Sequence, residues 1–308
     1  MKLAVFQKSN QDRLGAVKED LIVDLPSYMN ELGFGALNQC DSVKEFLALD
    51  EEIKKQVRKA LEGMDPNFGE FSFKINEVDL KAPLPNPGKL LCIAGNYADH
   101  IIEGGGSYPG KDKMVPRFFL KPSTSVIGPK EKIRVPPSSA WTDWEIELAI
   151  VIGKSGRSVS PEEASDYIAG YTILNDVSAR ELSFREDLPT KEGDDFFDWL
   201  IGKWPDTFAP MGPWVVTKDE IQDPTNLEMK LWVNDELHQE GNSGQMIFNP
   251  EEVITFITQF LTLKPGDIIS TGTPAGVGYT QDIRIKEGDI LKCHIDQLGT
   301  FQNLVEYI

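Results

Sequence analysis

Cysteine is scarce: the 308 residues hold three, Cys40, Cys92 and Cys293. An odd, widely spaced set builds no disulfide framework and lacks metal-site spacing, which points to a reducing compartment. Cys92 and Cys293 stand in apolar runs and are expected to be buried, inert thiols. Long apolar stretches are missing too, since none approaches the ~20 residues that span a bilayer. The opening Met1-Lys-Leu-Ala-Val-Phe-Gln7 turns polar too soon for a signal peptide and reads as a first strand. A cytoplasmic protein without membrane contact is expected. Cations are outnumbered: 31 Lys and Arg against 49 Asp and Glu leave a formal net charge of −18. Nucleic acid and anionic membranes call for basic patches, so neither is an expected partner. The same field repels an anionic substrate unless a bound divalent ion and a few local cations reverse the potential inside a cleft. No nicotinamide or flavin fingerprint, repeat or low-complexity tract is present. The Gly/Thr-rich run from Thr271 to Gly278 lacks the Gly-Lys-Ser/Thr ending of a phosphate-binding P-loop.

What remains is a globular composition, 40% hydrophobic and 26% charged, long enough for one large domain and a small one. Residues 1–80 read as a small N-terminal α+β domain. Its strands fall over 3–6, 14–17 and 21–24, Pro26 opens a helical tract, and a helix is expected over 42–62. Ser42 with Glu45 forms a capping box there, Gly63 ends the helix and Pro66 follows. Pro83, Pro85, Pro87 and Gly88 form the linker. Residues 81–308 read as a mainly β domain of mixed strands. Within it, helices are expected over 96–103, 161–168, 178–185 and 250–261. A rigid loop is expected over 206–213, and a hairpin turn at Asn234-Asp235-Glu236 should leave His238 exposed.

The chemistry concentrates between Asp143 and Arg180. Glu145 and Glu147 alternate with Trp144, Ile146 and Leu148; in a strand both carboxylates leave one face about 7 Å apart. A second strand-like run, 171–174, leads to Asp176. Three carboxylates so placed suit a hard divalent cation such as Mg²⁺ or Mn²⁺. The same residues also fit a solvated strand face and, at Asp176, a helix N-cap. His100 and Glu103 lie three apart on a short helix, as a general base and its orienting carboxylate would, or as a surface ion pair. The 104–114 run is Gly-rich and charged, fitting a mobile loop. Lys121 ends a strand, as a cleft cation or a solvated residue; Arg180 and Lys203 are further cations, and Thr273 sits in the Gly/Thr loop. His294 falls in a strand and reads as structural.

Several runs, in order, resemble the fumarylacetoacetate hydrolase family over most of residues 80–308. They are Gly95-Asn-Tyr-Ala-Asp-His100, Phe118-Phe-Leu-Lys-Pro-Ser123, Glu145-Ile-Glu147, Asn175-Asp176, the 206–213 run, Met246-Ile-Phe248 and the 266–274 run. The resemblance implies a mixed β-roll catalytic domain, a homodimer, and Mg²⁺ or Mn²⁺ held by Glu145, Glu147 and Asp176. It implies a lid carrying His100 and Glu103 to activate water, and Lys203 on the keto or carboxylate oxygen of a 2-keto acid. It also implies Thr273 on the substrate carboxylate, and Arg180 either on the substrate or ordering the site. The expected reaction is hydrolysis of a carbon–carbon bond in an acylpyruvate or 2,4-diketo acid, releasing pyruvate and a carboxylic acid. The 206–213 run and the long N-terminal part resemble members that cleave diketo sugar acids or aromatic-degradation intermediates. A lyase or isomerase is the alternative, decarboxylating or tautomerising oxaloacetate; Gly95 stands where some decarboxylases of the family carry Arg. A non-catalytic metal-binding protein is a third reading, which the His100–Glu103 pair argues against.

Overall fold

The structure is a computed structural model; it describes residues 1–37, 40–64, 70–185, 188–189 and 191–308. Pro66, expected beyond the first long helix, lies outside these residues. Strands predominate and helices are few, so the α+β class holds. Among the described residues no helix is long and apolar enough to cross a membrane.

A 12-stranded sheet runs through the chain. At its centre is β2 (Ile146–Ile152), with β3 (Ile168–Asn175) antiparallel on one side and β5 (Ile268–Ser270) antiparallel on the other. β1 (Leu90–Ala94) continues the sheet, parallel to β5. Every residue of β2 is buried. Ile146, Leu148, Ile150 and Ile152 enter one apolar core, while Ala149 and Val151 enter a second. The period of two is therefore real, and Glu145 and Glu147 share the Ala149 face. That face is covered rather than solvated, because residues of the N-terminal segment, Leu3, Val5 and Leu25 among them, pack in the same core. The N-terminal strand Lys2–Lys8 pairs with Ala209–Thr217, so residues on both sides of the Pro-rich stretch share one sheet. A five-stranded sheet contains the hairpin Glu228–Val233/Glu236–Asn242. Asn234 (φ 50°) and Asp235 (φ 67°) make its turn, a backbone that these short polar residues tolerate.

Some expectations need correction. Residues 178–185 are not helical: β4 (Ser178–Leu182) pairs with Ser139–Asp143, and only Ser183–Arg185 curls into a 3₁₀ turn. The neighbouring strand offers a ladder that local propensity does not foresee. The 42–62 helix is two helices, Val43–Leu47 and Glu51–Glu62, because the Asp50 side chain accepts the Glu52 N–H and starts a new one; the Ser42–Glu45 capping box is present. The expected 161–168 helix is a 3₁₀ turn, Ala164–Tyr167, and the 250–261 helix ends at Thr258. The 206–213 run is already strand from Ala209. His238 is half-buried, its ring 5.0 Å from that of Trp144. Residues 104–114 hold only one 3₁₀ turn, Lys111–Lys113.

Because β2 carries the acidic pair into the core, Ile150→Ala should cost about 2–5 kcal/mol. Chemical denaturation would measure this; an unchanged midpoint would contradict a close-packed β2.

Candidate metal centre and active site

Glu145 immediately precedes β2, Glu147 is its second residue, and Asp176 follows the last residue of β3. The register Ile146↔Asn175 sets the two strand ends side by side. The Asn175 side chain accepts the Glu145 N–H at 2.9 Å, and the Asp176 N–H donates to the Glu145 carbonyl at 2.8 Å. One oxygen from each of the three carboxylates lies within 4.8 Å of the others, and all three residues are buried. The predicted ligand set is therefore assembled.

Two buried lysines and a partly buried arginine hold this negative charge. Lys203 donates to Glu145 Oε2 at 2.7 Å and to Asp176 Oδ2 at 2.8 Å. Lys121 donates to Asp176 Oδ1 at 2.5 Å and to the Val177 carbonyl at 3.0 Å. Arg180 binds Glu145 through Nη2 and Asp143 Oδ2 through Nε, the latter at 2.9 Å. Burial opposes the charge on Lys203, but Asp176 and Glu145 outweigh it and raise its pKa. Burial likewise opposes ionisation of Glu145, yet Lys203 and Arg180 hold its carboxyl well below the usual range. Glu147 is different: its Oε2 accepts the Gly272 N–H at 2.9 Å, and among the described residues no salt bridge reaches it. Burial first, then the charges of Asp176 and Glu145, push its pKa up to about 8. The donor set is oxygen only, dense and buried, and one member is pushed toward its neutral form. This fits a hard divalent ion such as Mg²⁺ or Mn²⁺, which Glu145, Glu147 and Asp176 would hold.

Beside the triad is a cavity of ≈ 190 Å³, reached by His100, Arg180, Lys203, Thr273, Phe119 and Trp199. His100 stands on α1 (Ala98–Glu103), with Nδ1 2.7 Å from Glu103 Oε1. Glu103 Oε2 accepts the Gly276 N–H at 2.8 Å and the Thr280 hydroxyl at 3.0 Å. Burial disfavours its charge, but the His100, Gly276 and Thr280 bonds hold its pKa below the ordinary value. An ionised Glu103 keeps the proton on Nδ1 and leaves Nε2 as a lone-pair base. Larger cavities of ≈ 790 and ≈ 660 Å³ lie elsewhere and contain none of the triad.

The other predicted residues divide. Lys203 and Arg180 both touch the ligand carboxylates and line the cavity. Lys121 is neither a cleft cation nor a solvated strand end: its side chain is 0% exposed and braces Asp176 from outside the cavity lining. Thr273 reaches the cavity, but its hydroxyl donates to the Ile146 carbonyl and accepts from Gln239, both at 2.8 Å. In this arrangement that hydroxyl has no proton left for a substrate carboxylate. Two residues escaped the sequence reading. Asp143 lies two positions before Glu145, and the same alternation would have found it. Trp199 lies four before Lys203 on α2 (Asp194–Gly202), and nothing in the sequence marks it as a cavity wall.

The family described as Fumarylacetoacetate (FAA) hydrolase C-terminal matches residues 89–306. Oxaloacetate tautomerase fahd2, mitochondrial, of Xenopus laevis is 39% identical over 311 residues, covering 99% of this chain and 90% of that protein. The Homo sapiens oxaloacetate tautomerase FAHD2A, mitochondrial, is 39% identical, covering 86% of this chain and 79% of that one. Among solved structures, maleylpyruvate hydrolase from Sphingobium sp. SYK-6, in complex with manganese(II) ion and pyruvate, is 31% identical with a TM-score of 0.76. The match covers 100% of this chain and 99% of that one.

Metal uptake should depend on pH through Glu147, because an ion must displace a proton held with a pKa of about 8. Its apparent affinity should fall about tenfold per pH unit below that value, with one proton released per ion. Calorimetry of Mn²⁺ binding in buffers of different ionisation enthalpy would measure this. Proton-free binding at neutral pH would contradict it.

Proposed function

The chain belongs to the fumarylacetoacetate hydrolase family, and from that premise we propose that it is a divalent-metal-dependent keto–enol tautomerase of oxaloacetate-like 2-keto acids. The cavity carries this reading: ≈ 190 Å³ beside the triad gives room for a four-carbon diacid with an ion, and little for a long acyl chain. The likeness to oxaloacetate tautomerases over most of the chain supports it.

The ion, when bound by Glu145, Glu147 and Asp176, supplies Lewis acidity toward a keto oxygen and charge to offset an enolate. The chain's own groups do the rest. Four buried carboxylates, counting Asp143, face the three cations Lys121, Lys203 and Arg180; once Glu147 gives up its proton to a divalent ion, the ion outweighs the single negative excess and the site admits an anion. His100 Nε2 removes a proton from the carbon next to the keto group, and Glu103 stabilises the imidazolium that results. Returning that proton to the oxygen completes the tautomerisation: a C–H bond is exchanged for an O–H bond and no carbon–carbon bond is broken. Lys203 has three N–H donors, and two are spent on Glu145 and Asp176. The third is available to the oxygen that gains charge, and the Arg180 guanidinium, tied at Nε and Nη2, can present Nη1 to a carboxylate.

A second reading is hydrolysis of short acylpyruvates, in which the same base activates water. The likeness to maleylpyruvate hydrolase with manganese(II) ion and pyruvate favours it. Oxaloacetate decarboxylation would use the same grip. We further propose a homodimer, for which the exposed Phe196 and Phe197 offer apolar surface. A reducing compartment, cytoplasm or mitochondrial matrix, suits three unpaired buried thiols.

Oxaloacetate enol loss, pyruvate and carbon dioxide should be followed together with Mn²⁺ or Mg²⁺. Tautomerisation without either product, abolished by EDTA and lowered about 10²–10⁴-fold in His100→Ala, is expected. Pyruvate plus an acid from acylpyruvates, with oxaloacetate tautomers untouched, would move the assignment to hydrolase. Trp199→Ala should raise kcat/KM for longer acylpyruvates relative to oxaloacetate, about tenfold or more. An unchanged ratio would show that Trp199 does not limit substrate size.

A further inference from the structure

We propose that Asp143 is a positioning residue that couples the carboxylate triad to the His100 base through the 276–280 loop; this rests on the metal-dependent reading above. Asp143 is 0% exposed, and its carboxylate meets both the Arg180 guanidinium and the backbone of the 276–280 loop. Its Oδ1 accepts the Gly278 N–H at 2.6 Å and its own neighbour's, Trp144, at 2.8 Å. Its Oδ2 accepts the Tyr279 N–H at 3.2 Å and Arg180 Nε at 2.9 Å. The other end of that guanidinium lies on Glu145, a proposed metal ligand. A few residues along the same loop, the Gly276 N–H holds Glu103, and the Thr280 hydroxyl shares its one proton between Glu103 Oε2 and the Val277 carbonyl, each at 3.0 Å; Glu103 in turn holds His100. Two acids, one joined to the triad and one to the base, therefore grip one short segment.

The segment is tightly packed at Gly276 and Gly278, while Tyr279 and Thr280 are exposed. Gly276 has φ 104°, and a Cβ there would lie 2.3 Å from the His238 carbonyl. At Gly278 a Cβ would lie 2.3 Å from the Ile283 carbonyl and 2.7 Å from the Trp144 ring. Trp144 Nε1 and Gln281 Nε2 donate to the Gly276 carbonyl at 3.2 and 2.7 Å. A close-packed loop passes a displacement on instead of absorbing it. A cation that draws Glu145 toward itself weakens the Arg180–Glu145 bond and leaves the guanidinium more fully on Asp143. The loop is then held more tightly, and with it Glu103 and the imidazole. Such a chain of contacts is a physical coupling between two sites, of the kind that typically changes an equilibrium about 5–150-fold.

Amide hydrogen exchange on the full chain, with and without Mn²⁺, reads this without turnover. In wild type, Mn²⁺ should slow exchange over 98–103 and 276–280 about fivefold or more. In Asp143→Asn, Mn²⁺ should still bind while the slowing over 98–103 disappears. Thr280→Val leaves the buried Asp143 untouched, removes one of the loop's bonds to Glu103, and should weaken the same response; it decides the matter if Asp143→Asn fails to fold. In kcat/KM, Asp143→Asn should cost less in a Glu103→Gln background than in wild type. Protection of 98–103 retained in both variants, or equal costs in both backgrounds, would overturn the coupling alone. Wild type that binds no Mn²⁺ would overturn the metal-dependent reading and the coupling with it.

Discussion

Like charges forced together out of water govern this molecule. The oxygens of Glu145, Glu147 and Asp176 gather within 4.8 Å of one another in buried surroundings, an arrangement that costs several kcal/mol per uncompensated ion. Lys121, Lys203 and Arg180 are placed to offset that cost, and each touches a triad carboxylate. Among the described residues, Glu147 alone of the three meets no such partner. Burial and the neighbouring carboxylates instead push its pKa up, toward the neutral form. A divalent ion resolves the frustration directly, which is why the same residues that look costly as structure look natural as a binding site. A chain of net charge −18 thereby acquires one small region suited to an anion.

The scaffold serves this local problem. β2 is buried along its whole length, and Glu147 within it and Glu145 just before it are buried with it. The ladder between β2 and β3 fixes Asp176 against Glu145 through backbone bonds. The base arrives from a separate element, α1, and is oriented by Glu103 against the glycine-rich loop. Rigid strands supply the charge-binding face and a short helix supplies the proton-transfer group, a division suited to a site in which one part must be fixed and the other placed over substrate.

Much of this was legible in the residues. The two-residue alternation of Glu145 and Glu147, the Asp176 strand end and the three-residue spacing of His100 and Glu103 all translate directly into the observed contacts. The family resemblance supplied the link between segments far apart in sequence. Failures came where tertiary partners decide. Ser178–Leu182 has helix-compatible residues but meets Ser139–Asp143 as a ladder partner. Lys121 looks like any strand-end lysine until Asp176 is seen above it. The Thr273 hydroxyl is taken by Ile146 and Gln239, contacts no local pattern encodes. Asp143 continued a pattern already recognised, yet its partners in the 276–280 loop lie far along the chain, and a single sequence does not show that meeting.

The central claim is that the triad, not some other acidic surface, takes the metal. Anomalous diffraction at the manganese edge from crystals grown with Mn²⁺ tests it most directly. The account predicts one strong peak at direct-ligand distance from carboxylate oxygens of Glu145, Glu147 and Asp176, with Glu147 deprotonated and ligating. A triad that stays metal-free, with Lys203 still bridging Glu145 and Asp176 and any peak lying elsewhere, would contradict it.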